Sequence, residues 1–246
     1  IKNNFKIFDR VINKNSPTLI IAEIGINHMG NEDLCKEMIL SALDSGADCV
    51  KLQTVNEEES YLPNTESYKI FKGTHLNYTS LKRLSNFAKD NNGFLFSTPA
   101  DFSSLDLLNS IDVCAYKISS GLLTNSPLLD KMGTYNKPII LSTGMANEIE
   151  ISNAVNLLKK KKVEIIALLH CVSLYPASFS TLNLNFINNL SKKYDLITGY
   201  SDHSKGNLAC LAAVSIGAKI IEKHFTIDNS INGADNKTSM EPQEFR

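Results

Sequence analysis

The sequence predicts an α/β protein built as a (β/α)8 barrel, and three observations point to it. Short runs rich in Ile and Val alternate with longer stretches of helical period, the pattern of repeated βα units on a parallel sheet. Eight such runs can be counted in the 246 residues, a length that suits a single barrel. Polar and ionisable residues gather at the C-terminal end of each run, the end at which barrels of this architecture carry their chemistry.

In chain order, residues 1–17 read as an N-terminal extension and 18–246 as the barrel. The first strand, 19–23, is an apolar run closed by Glu23. A helix over 33–45 then stops at Gly46, where a left-handed residue is wanted. Strand two spans 49–53. The connection over 56–77 that follows is polar, contains Pro63 and Gly73, and is longer than a βα loop requires, as loops that cover sites often are. A helix over 80–91 leads to strand three at 94–97, and strands four and five follow at 113–118 and 139–142. The helix at 148–160 ends in a run of lysines, 159–162, whose charge suits the negative pole of the helix dipole. Strand six is 165–170, followed by a helix at 182–193. Strand seven is 197–201, followed by a helix at 207–216 that stops at Gly217 as the first does at Gly46. Strand eight, 220–224, precedes a polar loop over 228–239 and the opening of a last helix at 241–245, within which the chain is expected to be truncated.

Bulk properties narrow the function. With 25 Lys and Arg against 26 Asp and Glu, no broad field draws in a nucleic acid or an acidic membrane, so an anion must be held locally. Five cysteines without a C-x-x-C pair read as reduced thiols, which favours the cytoplasm. The early apolar stretch at 18–26 is interrupted by Glu23 and is too short to span a bilayer.

Taken together, the strand ends form an unusual set. Lys51, Thr98, Lys117, Ser120 and Ser142 combine cationic and hydroxyl groups in the way a phosphate requires: charge to neutralise the dianion, donors to fill its oxygens. Any one of them alone would read as a rim lysine or a capping hydroxyl. His203 and His224 end adjacent strands and could share a divalent cation, with the remaining positions left to water and substrate, as in an octahedral Mn2+ site rather than a closed zinc. The bland reading is two hydrogen-bonding rim histidines. Glu23 closes an apolar strand, where a carboxylate needs a partner or a task; an ion pair with a barrel lysine competes with a role in holding a sugar hydroxyl or moving a proton. His28 and His170 read as positioning residues and His75 as an exposed loop histidine.

The segments IIAEIGINH at 20–28, KLQT at 51–54, FSTP at 96–99, YKISSG at 116–121, LSTGM at 141–145, GYSDH at 199–203 and EKHF at 222–225 together resemble the sialic acid synthase family, from about residue 18 to the chain's end. The resemblance implies a metal-dependent condensation of phosphoenolpyruvate with an N-acylated hexosamine, N-acetylmannosamine or a diacetamido-trideoxyhexose, giving a nonulosonic acid and phosphate. It implies Mn2+, with Mg2+ or Co2+ as alternatives, on His203 and His224. Phosphoenolpyruvate would be held by Lys51, Thr98, Lys117, Ser120 and Ser142, and the sugar contacted by Glu23, Gln53, Tyr175, Asp235 and Asn64. Leu122 stands where many relatives carry an acidic residue, and Ser173 where an Asn is common. Relatives carry a C-terminal antifreeze-like domain that reaches over the partner's barrel; this chain is expected to lack it, and the intact protein to be a homodimer.

Two other readings remain open on the residues alone. A Schiff-base aldolase would use Lys51, Lys117 or Lys223 as nucleophile. A non-catalytic barrel would keep the pocket only to bind.

Overall fold

The computed structural model describes residues 4–163, 166–231 and 233–246. Eight parallel strands close into a barrel: β3 (Leu19–Gly25), β4 (Cys49–Thr54), β5 (Leu95–Pro99), β6 (Tyr116–Ile118), β7 (Ile139–Ser142), β8 (Ile166–Cys171), β9 (Ile197–Asp202) and β10 (Ile220–His224). The strands follow chain order around the barrel, and β10 returns to β3. Ahead of them, the segment read as an extension folds in part as an antiparallel hairpin of β1 (Phe5–Ile7) and β2 (Arg10–Ile12), with Phe5, Ile7 and Ile12 buried. The expected start of strand six, Ile165, lies outside the described residues.

The helices are α1 (Glu32–Asp44), α2 (Glu57–Ser60), α3 (Glu66–Phe71), α4 (Tyr78–Asp90), α5 (Phe102–Ser110), α6 (Ser126–Thr134), α7 (Glu148–Lys160), α8 (Phe186–Tyr194), α9 (Leu208–Ser215) and α10 (Pro242–Phe245). Polar caps set many of their starts. Asn31, Asn77 and Asn125 each accept backbone N–H groups of the first turn, and Asn147 with Glu150 forms a reciprocal capping box on α7. Gly46 and Gly217 take φ of +98° and +106° after α1 and α9, the left-handed stops expected of them. The long connection after β4 is not coil throughout: it holds α2 and α3, and Asp101 ties its start down by accepting from the Asn56 N–H and the Ser60 hydroxyl.

The chain divides into two compact units, the described part of Ile1–Ile20 with Cys114–Lys223, and Ile21–Val113 with His224–Arg246. In the first, Leu182, Ile187, Tyr200, Ala213 and Ile221 pack β9 and β10 against α8 and α9. The fit there is tight: a Cβ placed on Gly199 would stand 2.1 Å from the Ile220 carbonyl oxygen. In the second, Cys35, Met38 and Ile39 of α1 and Leu81 and Leu84 of α4 are fully buried. The registers that matter for the site pair Glu23 with Lys51, Gln53 with Thr98, and Lys223 with Asp202. Among the described residues, no helix is long and apolar enough to cross a membrane.

Candidate active site

In the unit that carries β3, β4 and β5, the parallel register sets Glu23 beside Lys51, and the two side chains meet at 2.8 Å, only 2% and 4% exposed. Lys51 Nζ also donates to Thr98 Oγ1 at 3.2 Å, and Gln53 Nε2 donates to Glu23 Oε1 at 3.0 Å. Lys51 and Gln53 are two residues apart on one strand and therefore share a face. The loop after β10 brings Asp235 to the same place. A Cβ on Gly25 would lie 3.4 Å from Glu23 Oε1 and Gln53 Nε2 and 3.7 Å from Asp235 Oδ2. That same Asp235 oxygen is 3.7 Å from His224 Nδ1, too long for a direct hydrogen bond. Glu23, Lys51, Gln53, Thr98, His224 and Asp235 are thus one neighbourhood. Asn64 is not part of it as described: it occupies an exposed turn before α3.

On the loop after β3, His28 is buried and its Nδ1 accepts the Gly30 N–H, so the proton belongs on Nε2. Burial lowers its pKa to about 4, which keeps the ring neutral and suits a positioning role.

The other unit builds a second cluster. Lys117 on β6 and Glu222 on β10 belong to strands that are not neighbours, yet Nζ and Oε1 are 3.5 Å apart, so both side chains project to the inner face of the sheet. Lys117 Nζ donates to Ser142 Oγ at 2.7 Å, and Ser201 Oγ donates to Glu222 Oε1 at 2.8 Å. Ser120 and Ser173 hydroxyls are 2.9 Å apart. Glu222 holds Lys117 and Ser201 in turn holds Glu222, neither of them among the site residues expected from the sequence; alternation along β10 could have placed Glu222 on the inner face.

His203 is more informative. Its Nδ1 lies 2.7 Å from the Val172 carbonyl oxygen, which can only accept, so Nδ1 carries the proton and Nε2 the lone pair. Tyr175 OH then donates to Nε2 at 2.9 Å, the two rings lying 4.1 Å apart. A neutral imidazole with Nδ1–H tied to a carbonyl and its Nε2 lone pair held by a displaceable hydroxyl has the preparation of a metal-ligating histidine. Among the described residues no group of three or more His, Cys, Asp or Glu is placed to enclose an ion. His170 has a different occupation: its Nε2 binds the Leu182 carbonyl and its ring packs on Phe186 and Tyr200. His75 is exposed.

Buried charge comes in pairs. Lys51 with Glu23, Lys117 with Glu222 and Lys223 with Asp202 are each almost wholly removed from solvent. An ion-paired ammonium has no lone pair to attack a carbonyl, so these contacts argue against the aldolase reading at all three of its candidate lysines.

The NeuB family profile matches residues 38–246. The chain is 44% identical, over 93% of its length and 73% of the relative's, to the N,N'-diacetyllegionaminic acid synthase of Campylobacter jejuni subsp. jejuni serotype O:2. It is 34% identical, over 95% of its length and 72% of the relative's, to a pseudaminic acid synthase of the same organism. Among solved structures, the N-acetylneuraminic acid synthetase from Leptospira borgpetersenii serovar Hardjo-bovis, in complex with citrate, superposes with a TM-score of 0.94 at 38% identity, covering 100% of this chain and 87% of that one.

Proposed function

This chain belongs to the NeuB family, and from that premise we propose that it condenses phosphoenolpyruvate with an N-acylated amino sugar to give a nonulosonic acid and phosphate. It is an enzyme of the sugar-acid synthase type. The observation that carries the reading is that each unit holds a buried strand-end lysine escorted by a hydroxyl, Lys51 with Thr98 and Lys117 with Ser142. Lysine and hydroxyl together supply charge and directed donors, which is what a phosphate monoester needs. Ser120 and Ser173 add a pair of hydroxyls in the same unit as Lys117.

In this reading Glu23, Gln53 and Asp235 receive the sugar, whose hydroxyl and amide groups match a carboxamide flanked by two carboxylates. Tyr175 stands over His203, about half exposed, and can turn its hydroxyl from the imidazole to the acceptor. Carbon 3 of the enol phosphate attacks the open-chain aldehyde, water adds at carbon 2, and phosphate leaves by C–O cleavage. Glu23 is the group in position to hold or move a proton at the sugar, and Lys51 and Lys117 steady the phosphate as it leaves. A divalent cation, Mn2+ foremost, would be held by His203 and His224, each of which follows by one residue the ladder partners Asp202 and Lys223. When bound it polarises the aldehyde oxygen. The five thiols outside any disulfide suit a cytoplasmic setting, and the intact protein is proposed to be a homodimer.

The test is a product assay by mass spectrometry, offering the protein phosphoenolpyruvate, Mn2+ and a panel of N-acylated hexosamines. The expected result is phosphate release only when both substrates are present, loss of turnover in EDTA, and a product mass equal to sugar plus pyruvate. Trapping of a pyruvate adduct by borohydride would instead restore the aldolase, and binding without product from any acceptor would restore the non-catalytic barrel.

A further inference from the structure

One buried lysine has no part in the reaction described above. Lys223 lies between Glu222 and His224 on β10 and is 3% exposed. Its Nζ donates to Asp202 Oδ2 at 2.8 Å and, in a short contact, to the Ser204 carbonyl oxygen. Asp202 and Ser204 are the two residues that flank His203. Asp202 closes the grip by accepting the Ser204 N–H on Oδ1 at 2.8 Å, and its Oδ2 also receives the Cys210 thiol at 3.3 Å. On the far side of the same turn the Ala177 N–H donates to the His203 carbonyl at 2.9 Å.

A lysine used merely to fill space at this depth would be a poor choice, since an apolar residue of similar size avoids the desolvation that a buried ion pair carries. The lysine is explained by what it holds. One ammonium holds the Asp202 carboxylate on one side of a single imidazole and the Ser204 carbonyl on the other, and that imidazole needs a fixed backbone to keep Nδ1 on the Val172 carbonyl and Nε2 beneath the Tyr175 hydroxyl. We infer that Lys223 is a positioning residue for His203, clamping the turn through Asp202 and Ser204 so that the ring presents its Nε2 lone pair in one direction. This rests on the reading that His203 faces the cation or the acceptor, and the experiment separates the two.

The full chain is prepared with 15N-labelled histidine as wild type, Lys223→Arg, Lys223→Met and the charge-balanced pair Lys223→Met with Asp202→Asn, which keeps a folded comparison if the single Met variant leaves Asp202 uncompensated and unfolds. Ring-nitrogen shifts of His203 are recorded without metal, and Mn2+ binding is measured by calorimetry. In the wild type His203 is expected as the single Nδ1–H tautomer. The charge-balanced pair should show a tautomer mixture and Mn2+ binding weaker by about 10- to 100-fold, the usual range when a residue supporting a metal ligand is lost, whereas Lys223→Arg keeps the single tautomer and most of the affinity. A folded variant lacking the lysine that retains one tautomer and wild-type Mn2+ affinity overturns the inference. If instead His203→Ala binds Mn2+ as wild type does, it is the cation assignment that fails, and the tautomer result still decides the clamp.

Discussion

Lys117 shows how much one side chain can be asked to do. Replacing Ser142 by Ala leaves the contact with Glu222 in place and removes one charge-assisted hydrogen bond, so the Michaelis constant for phosphoenolpyruvate should rise about 10- to 100-fold, at roughly 1.5–3 kcal/mol for a bond to a charged group. Lys117→Met should weaken phosphoenolpyruvate binding further and also destabilise the fold by about 3–5 kcal/mol, because Glu222 is left buried without its cation; an unchanged Michaelis constant would remove the phosphate role. His28 offers a test by pH. Its folded pKa of about 4 lies below the ordinary imidazole value of 6.5, so between the two the unfolded chain takes up a proton that the folded chain refuses. Stability is therefore fully present above pH 6.5 and falls as pH drops toward 4, by up to about 3 kcal/mol. Burial lowers the pKa of His170 as well and adds a loss of the same sign. Urea titrations at pH 7 and pH 4.5 should show this difference, and His28→Gln should shrink it. These residues were legible because polar groups at the ends of apolar strands are conspicuous. Which carboxylate serves which lysine was not, since Lys117 and Glu222 meet across four strand positions of the sheet order, a distance no local pattern encodes.

At the scale of elements, the capping box on α7 should contribute about 1 kcal/mol, so Asn147→Ala lowers the denaturant midpoint without altering the Michaelis constants. Gly199→Ala tests the strand contact: the new methyl meets the Ile220 carbonyl, β9 must move away from β10, and the loss should exceed that of Asn147→Ala severalfold. The expected helix at 148–160 and strands at 139–142 and 220–224 coincide with α7, β7 and β10. Other boundaries moved for identifiable reasons. The helix expected from 182 begins at Phe186, because Asn183 takes φ of +43° and a right-handed helix cannot run through it. The strand expected from 113 begins at Tyr116, where the ladder with Ile139 starts. The β1–β2 hairpin escaped notice because three-residue strands are too short for alternation to register.

For the molecule as a whole, eight repeats of strand and helix were countable from the sequence, and the closed order of the sheet follows from right-handed, sequential βα connections. The acceptor was not readable, since a carboxamide flanked by carboxylates, the chemistry found beside Gly25, does not distinguish one N-acylated hexosamine from another. Assembly is open to direct measurement: light scattering on the intact protein should return twice its subunit mass, and a monomer that turns over normally would refute the dimer. The pairing of each buried lysine described above with its own carboxylate has a practical bearing on attempts to redirect the enzyme. Variation at Glu23, Glu222 or Asp202 one position at a time will mostly report the distress of an abandoned counter-ion. Libraries that exchange both members of a couple together will sample new specificities on a scaffold that still folds, and the energetic effects within a couple will depart far from simple addition.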